Sequence, residues 1–174
     1  WQTVSLDKIG RIITGKTPKT SNQNYYGGSI PFVTPSDMVD SRYIQETGRY
    51  LTNEGKSSVS NALIPAGAVM VSCIGSDMGK SAIAKHVCVT NQQINSIVTL
   101  DSFNSLFIYY NLSKRREEIR NSASGSAQPI LNKSAFGRLQ IKIPPLATQN
   151  AIASILGSLD DKIDLNRRTN ETLE

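Results

Sequence analysis

The segment Gly75–Ser81, "GSDMGKS", invites a nucleotide-binding reading. A phosphate-binding loop places four residues between its first glycine and the Gly-Lys pair, then opens a helix. Here only Ser76, Asp77 and Met78 intervene, and the following "AIAKHVCV" is β-like. What remains is a glycine-flexed loop between strands that presents Ser76, Lys80 and Ser81, suited to a phosphate contact and equally to an ordinary hairpin. Other constellations fall short of catalysis. No G-x-G-x-x-G cofactor fingerprint occurs, and "IPPL" lacks the Asn/Asp-Pro-Pro-aromatic order with which adenine methyltransferases grip the target amino group. A single histidine, His86, leaves no material for a His-based triad or a zinc site. Asp37 and Asp40 lie three apart with no further ligands nearby, and read as caps and solvated charges. The expectation is therefore a chain with no catalytic residue, no metal and no cofactor; an enzyme with an unrecognised site is the weakest alternative.

The residues suited to recognition lie elsewhere. Thr14–Gly28, "TGKTPKTSNQNYYGG", holds two lysines, no acidic residue, a dense set of Ser, Thr, Asn and Gln, and the adjacent Tyr25 and Tyr26. Such groups bond phosphates and base edges. On composition alone, a nucleic-acid surface and a solvated loop with its tyrosines packed on the body are equally good readings, and both hold if one tyrosine is buried and the other presented.

Charge points the same way, weakly. The net charge is +5. Residues 148–174 hold Lys162, Arg167 and Arg168 against Asp160, Asp161, Asp164, Glu171 and Glu174, a balance of −2, which leaves +7 on the remainder. A basic body on an acidic tail favours a polyanion partner for the body only. The 174 residues suit one domain plus an appendage, and 39% hydrophobic residues suffice for a core. Cys73 and Cys88 both sit in apolar strand-like runs and read as buried free thiols in a reducing compartment, the cytoplasm. No apolar run approaches a membrane span, and no membrane partner is expected. The opening Trp1 and a helical pattern running to Glu174 suggest a piece of something longer.

The elements that must position these residues are short. "SLDKIGRIITG" reads as an amphipathic helix capped by Ser5, with Leu6, Ile9 and Ile13 on one face and Gly15 as stop. Pro18 excludes helix through the stretch that follows. "IPFVTP" is a buried strand bounded by prolines; Pro65–Gly67 makes a turn into an apolar strand from Ala68 to Ile74; "SAIAKHVCVT" and "INSIVTL" are further strands. One helix is expected from about Phe103 to Asn121, with Leu106, Phe107, Tyr110 and Ile119 inward and "KRREEIR", including Arg115 and Arg116, as a solvated face. Asn132 caps a helical turn, and "RLQIKI" is a last strand. The fold class is α+β: a mixed, β-rich body at residues 1–147 with short helices, then a long coiled-coil-type helix at 148–174.

That helix has its own logic. After Pro144–Pro145 and the cap candidate Thr148, the positions Ile152, Leu156, Leu159, Ile163, Asn166, Asn170 and Leu173 step alternately by four and three, a heptad seam. At 1.5 Å per residue it is a rod of about 40 Å, too long to bury its whole stripe on so small a body. Its natural partner is another helix; the alternative is a lone terminal helix packed on its own domain. Asn166 and Asn170 cost stability at a seam but specify register and partner.

Taken in order, several runs resemble a known family. They are Trp1, Leu6 and Ile9 with "IITGKTP", then "YYGGSIPFVTPSDM", "LIPAGAVMVSCIGSDMGKSAI", "TNQQINSIV" and "SGSAQPILNKSAFGRLQIKIPPLATQNAIASILGSLDDKI". The chain resembles the DNA-specificity subunit of type I restriction-modification systems, as one target recognition domain with its following helical region. The last run is the most specific, through Pro144–Pro145, Gln149 and the "IASILGSLD" helix.

The resemblance implies a subunit without catalytic activity. It implies two recognition domains joined by two long antiparallel helices, each domain reading one half of a split target in double-stranded DNA. Modification subunits dock on the helices and supply S-adenosylmethionine and the methyl-transferring site; the restriction subunit, an indirect partner, brings ATP-driven translocation and cleavage. One domain and one helix imply either a piece of a two-domain subunit or a half-length form that dimerises, so the second helix comes from the same full-length chain or from a homodimer. Because target choice lies in the family's variable parts, contact residues are chosen here by chemistry and position. They are Lys16, Thr17, Lys19, Thr20, Asn22 and Tyr25 in the first loop, Lys56 and Ser57 in "NEGKSS", Ser76 and Lys80 in the glycine loop, and Gln128 after "SGSA". Lysines are expected to hold phosphates and amides to read adenine N6 and N7. The competing class is a helix-mediated assembly adapter whose basic body is incidental.

Overall fold

The computed structural model describes residues 1–39, 41–123 and 130–173. The elements run β1 (Gln2–Ser5), α1 (Leu6–Ile9), β2 (Gly10–Thr14), β3 (Tyr26–Val33), β4 (Tyr50–Leu51), α2 (Asn53–Ser58), β5 (Leu63–Ile64), β6 (Val69–Ser72), β7 (Ser81–Ile83), β8 (Cys88–Thr90) and β9 (Ile94–Thr99). They continue with α3 (Ser105–Ser113), α4 (Arg116–Asn121), α5 (Lys133–Arg138), β10 (Gln140–Ile143) and the long α6 (Leu146–Leu173). The architecture is α+β, and α6 starts at Leu146, ahead of the Thr148 cap expected from the sequence.

Two four-stranded sheets stack at the centre. One is antiparallel, in the order β2-β9-β6-β7; the other runs β4-β3-β8-β5 and contains a parallel β3–β8 pair. The side chains of β6 show why four consecutive residues are buried. Val69 and Val71 point into the cluster that holds the helices, with Leu6, Phe107, Ile108, Phe136 and Ala153, while Met70 points into the cluster with Val33, Ile64 and Cys88 of the second sheet. Period-two alternation with both faces covered gives a continuous apolar run. The outer face of the second sheet carries a small third cluster of Phe32, Leu51, Val59 and Val89. The strands β1 and β10 pair antiparallel as a separate ribbon.

Two expectations need correction. The expected helix over "SLDKIGRIITG" is helical only at Leu6–Ile9, and Gly10–Thr14 is instead strand β2, paired with β9. Adjacent Ile12 and Ile13 face different clusters, which a strand achieves and a helix does not. A Cβ at Gly10 would stand 2.2 Å from the Val98 carbonyl oxygen, so the strands approach this closely only because the residue is glycine. The expected helix from Phe103 to Asn121 is two, α3 and α4, broken at Lys114 and Arg115. The break falls where the β6–β7 hairpin packs on the chain: a Cβ at Gly79 would meet Arg116 Cα at 2.9 Å. Phe107 and Ile119 still point inward, with Leu106 and Tyr110 half-buried.

The glycine loop is the tip of that hairpin, with Gly75 and Gly79 at positive φ and Met78 fully buried beneath it. Cys73 and Cys88 are buried free thiols, as expected, and burial pushes them up to about 11 and about 12. Asn132 caps α5 through Ala135 N–H, 2.9 Å. No helix among the described residues is long and apolar enough to cross a membrane.

Candidate nucleic-acid interface

The opening polar stretch is a belt tied down along its length. Gly15 N–H donates to Ile94 O (3.0 Å) and Lys16 N–H to Thr90 O (2.9 Å), which leads the chain from the start of β9 in the first sheet to the end of β8 in the second. A Cβ at Gly15 would stand 2.1 Å from Asn91 O, so only glycine passes there. Thr17 Oγ1 then bonds Gln92 Oε1 (2.6 Å), and the Tyr26 hydroxyl donates to Pro18 O (2.8 Å). Asn22 Oδ1 accepts from Asn24 N–H and caps a 3₁₀ turn over Gln23–Tyr25. Helix α2 holds the far end: Thr52 donates from Oγ1 to Asn24 O and from N–H to Tyr25 O, 2.7 and 3.0 Å.

This belt presents its cations. Lys16 and Lys19 are exposed and make no ion pair among the described residues. Thr20 is exposed; Thr17, Asn22 and Tyr25 are half-buried. The two tyrosines are alike in burial and differ in their hydroxyls: Tyr26 is committed to Pro18, whereas Tyr25 has no hydrogen-bonded hydroxyl partner among the described residues. Lys56 and Ser57 lie on α2 next to the belt, and Ser57 Oγ donates to Asn53 O within its own helix.

Two open clefts meet at Arg49, and one of them borders the belt. One, of about 580 Å³, is lined by Thr20, Gln23, Tyr26, Gly27, Gly28, Gly48, Arg49 and Tyr50. The other, about 410 Å³, is lined by Thr34, Ser36, Arg49, Ser76, Asp77, Asn91 and Gln93, among others. Arg49 stands in the wall of both. Ser76 lines the second cleft with Arg49, while Lys80 does not: it lines a separate cleft with Ser81, Tyr109 and Arg116, and its ammonium is paired with Asp77 at 2.8 Å. Arg115 pairs with Glu118, holding that carboxyl below its usual range, and Arg116 Nε donates to Met78 O (3.3 Å), so these two are tied to the structure rather than simply solvated. Gln128 and Asp40 lie outside the described residues. Asp37 is a cap: its Oδ2 accepts from Thr34 N–H and Oγ1, its Oδ1 from Gly48 N–H.

Sequence reasoning missed Arg49, Ser36 and the turn Asn91–Gln93. The run "TNQQ" between two apolar strands carried a usable signal, since a polar turn there shares an edge with the strand before it. Arg49, alone in "TGRY", carried none; its place depends on β4 pairing with β3.

The seam of α6 divides in two. Ile152 and Leu156 are half-buried against the body beside fully covered Ala153 and Gln149, whose side chain bridges Asn104 N–H and Pro144 O at 3.0 and 2.9 Å. One turn further, Arg42 donates to Gly157 O (3.1 Å), to the Tyr110 hydroxyl (3.3 Å) and to Asp161 (2.5 Å), and Tyr110 in turn donates to Asp160 (2.6 Å). Burial works against the Arg42 charge, but the bonds to Tyr110 and Asp161 outweigh it and hold the guanidinium above its usual range; burial, with the bond to Asp160, pushes the Tyr110 phenol up to about 12. Past this latch the helix leaves the body. Leu159 is 53% and Ile163 48% exposed, and Asn166 and Asn170 are exposed; Ile155, before the latch but on the same side of the helix, is 64% exposed. At 3.6 residues per turn this stripe sits about 100° around the helix from the docked face. The helical backbone includes Leu173.

The chain thus joins a β-rich body bearing a polar belt to a long helix whose distal part carries an exposed apolar stripe. The chain belongs to the type I restriction modification DNA specificity domain family, whose model matches residues 1–174. It is 30% identical over its full length to the type I restriction enzyme MjaIX specificity subunit of Methanocaldococcus jannaschii, and 35% identical over 83% of its length to the HindI specificity subunit of Haemophilus influenzae. It spans 41% and 32% of those two proteins. Among solved structures, a chain of a type I R-M system in a study of its complex assembly and conformational transition superposes with a TM-score of 0.76 at 22% identity, covering 99% of this chain and 41% of that one. The HsdS subunit from Thermoanaerobacter tengcongensis gives 0.72 at 20% identity, covering 97% and 39%. At these identities the two structures establish the fold.

Proposed function

We propose that this chain is one target recognition unit of a type I specificity subunit: residues 1–147 read one half of a split target in double-stranded DNA, and residues 148–174 form the helix on which the assembly is built. It performs no chemistry itself and directs an adenine methyltransferase, and through it the restriction subunit, to the site. The reading is supported by exposed Lys16 and Lys19, which make no ion pair among the described residues, on a belt that borders one cleft through Thr20 and Gln23, and by Ser36, Ser76, Asn91 and Gln93 around the second cleft that shares Arg49 with the first. Lysines hold phosphates; amides and the arginine fork suit base edges. The exposed stripe Ile155, Leu159 and Ile163 fits a second helix, from the same full-length subunit or from a second copy, and the modification subunits sit beside that pair.

The test is to co-express the natural subunit containing this chain with its modification subunit in cells lacking other adenine methylation, and to map methylated adenines. A split motif is expected, with Lys16→Ala and Lys19→Ala weakening methylation across sequences and each lowering the slope of log affinity against log salt by about one. An assembled complex that methylates no defined sequence refutes the reading. The exposed seam supports one competitor, an assembly adapter without DNA readout. That reading requires Leu159→Asp to abolish activity while both lysine variants change nothing.

A further inference from the structure

We propose that Arg49 is a base-reading residue of this face and that it takes the major-groove edge of a guanine. The inference rests on the DNA-reading proposal above.

Arg49 lines both open clefts, so a single side chain serves the Thr20–Gln23 side and the Ser36–Ser76–Gln93 side of the face. Its backbone is held from several directions. Its carbonyl accepts from Phe32 N–H (3.0 Å) and Thr47 Oγ1 (2.7 Å), and the preceding Gly48 N–H is bound by Asp37 (2.8 Å), itself anchored on Thr34. Its guanidinium lies over the Phe32 ring, 5.0 Å from the centroid, and Phe32 is fully buried. The platform under the charge is therefore part of the core of the second sheet. Arg42, Arg115 and Lys80 are each paired with a carboxylate, whereas Arg49 makes no ion pair among the described residues.

The chemistry separates a base from a phosphate. A phosphate asks for a point charge and tolerates wide changes of direction, which the exposed lysines supply. A base edge asks for a planar fork, and the Arg49 guanidinium offers one from a position already supported by the buried Phe32 ring. Guanine O6 and N7 are the paired acceptors that two parallel N–H groups match, and no other major-groove edge offers two acceptors from one base.

The experiment uses the natural full-length subunit in complex with its modification subunits. A pool of random-sequence DNA duplexes is bound, recovered and sequenced for the wild type, Arg49→Ala and Arg49→Lys. In the wild type, one half of the split motif is expected to contain a required guanine. Arg49→Ala should lose preference at that position alone by about 5- to 150-fold while the other half, an internal control, stays intact. Arg49→Lys keeps the charge but not the fork, and should recover general affinity without recovering the guanine preference. Replacing that guanine by 7-deazaguanine should weaken the wild type and leave Arg49→Ala unaffected. An unchanged motif in Arg49→Ala overturns the assignment, as does an even loss over all positions, and both leave the DNA-reading proposal standing. A motif with no guanine in the half that responds to Lys16→Ala and Lys19→Ala overturns it as well. If the wild type enriches no sequence, the DNA-reading proposal itself falls, and Arg49 with it.

Discussion

Arg42→Ala tests what attaches the long helix to the body. The Arg42 side chain is 10% exposed, and its removal deletes donors to Gly157 O and the Tyr110 hydroxyl, the ion pair to Asp161 and the weaker one to Asp160. The pair to Asp161 counts for little, because that carboxylate is 68% exposed and a solvated ion pair is worth about 0–1 kcal/mol. The enclosed bonds from a charged donor matter more, about 1.5–3 kcal/mol, with lost packing of the arginine stem added. Because Gly157 O stays within the helix and Asp160 keeps Tyr110, no buried carboxylate is stranded, and the cost stays below that of a broken buried ion pair. We expect about 2–3 kcal/mol, read as roughly 30- to 150-fold faster amide exchange from Leu156 to Lys162 if exchange follows local undocking. Strand β6, in the core, should be unaffected. Asp161→Asn should cost under about 1 kcal/mol in the same assay. If Arg42→Ala leaves exchange along this turn unchanged, or Asp161→Asn matches it, the assignment of docking to the enclosed bonds is wrong. The phenol adds a pH dependence. Its folded pKa is raised to about 12 from an ordinary value near 10, so the stabilisation is complete below pH 10 and lost as pH rises toward 12.

Three further perturbations follow from the same geometry. Gln149→Ala leaves the part-buried Asn104 N–H and the buried Pro144 carbonyl without their side-chain partner, and should lower unfolding free energy by about 1–3 kcal/mol in urea titration; no measurable loss would show that water replaces the amide. Gly55→Ala would put a Cβ 2.2 Å from the Tyr25 carbonyl oxygen, so α2 must lift from the belt; proteolysis should then cut the Gln23–Tyr25 turn, and resistance equal to wild type would mean the contact is slack. Cys73 and Cys88, both buried with raised thiol pKa values, should not react with a thiol reagent at pH 8 until the protein unfolds, when both titrate; early reaction of either marks local opening of a central sheet.

What the sequence determined by itself is local or periodic. The apolar strand after Pro65–Gly67, the Asn132 cap, the buried thiols and the heptad steps of the last helix are readable because each depends on spacing or on turn chemistry within a few residues. So is the polar, acid-free make-up of Thr14–Gly28, although composition alone left a nucleic-acid surface and a solvated loop equally good readings. Tertiary structure decided the rest. The segment after Ser5 holds apolar residues at helical spacing, and it became helix then strand because Gly10 lets it reach β9 and because two layers compete for Ile12 and Ile13. The Phe103–Asn121 segment broke where a hairpin from elsewhere in the chain packs on Arg116. Lys80 looked as free as Lys16, yet Asp77 neutralises it and the hairpin turns it into another cleft. Arg49 had no sequence signal at all: strand pairing sets its backbone, a ring seventeen residues earlier in the chain supports its charge, and segments from elsewhere in the chain line the two clefts around it. Periodicity and capping are properties of neighbours along the chain, whereas a shared face is a property of neighbours in space, and only the folded packing of the two sheets brings these together.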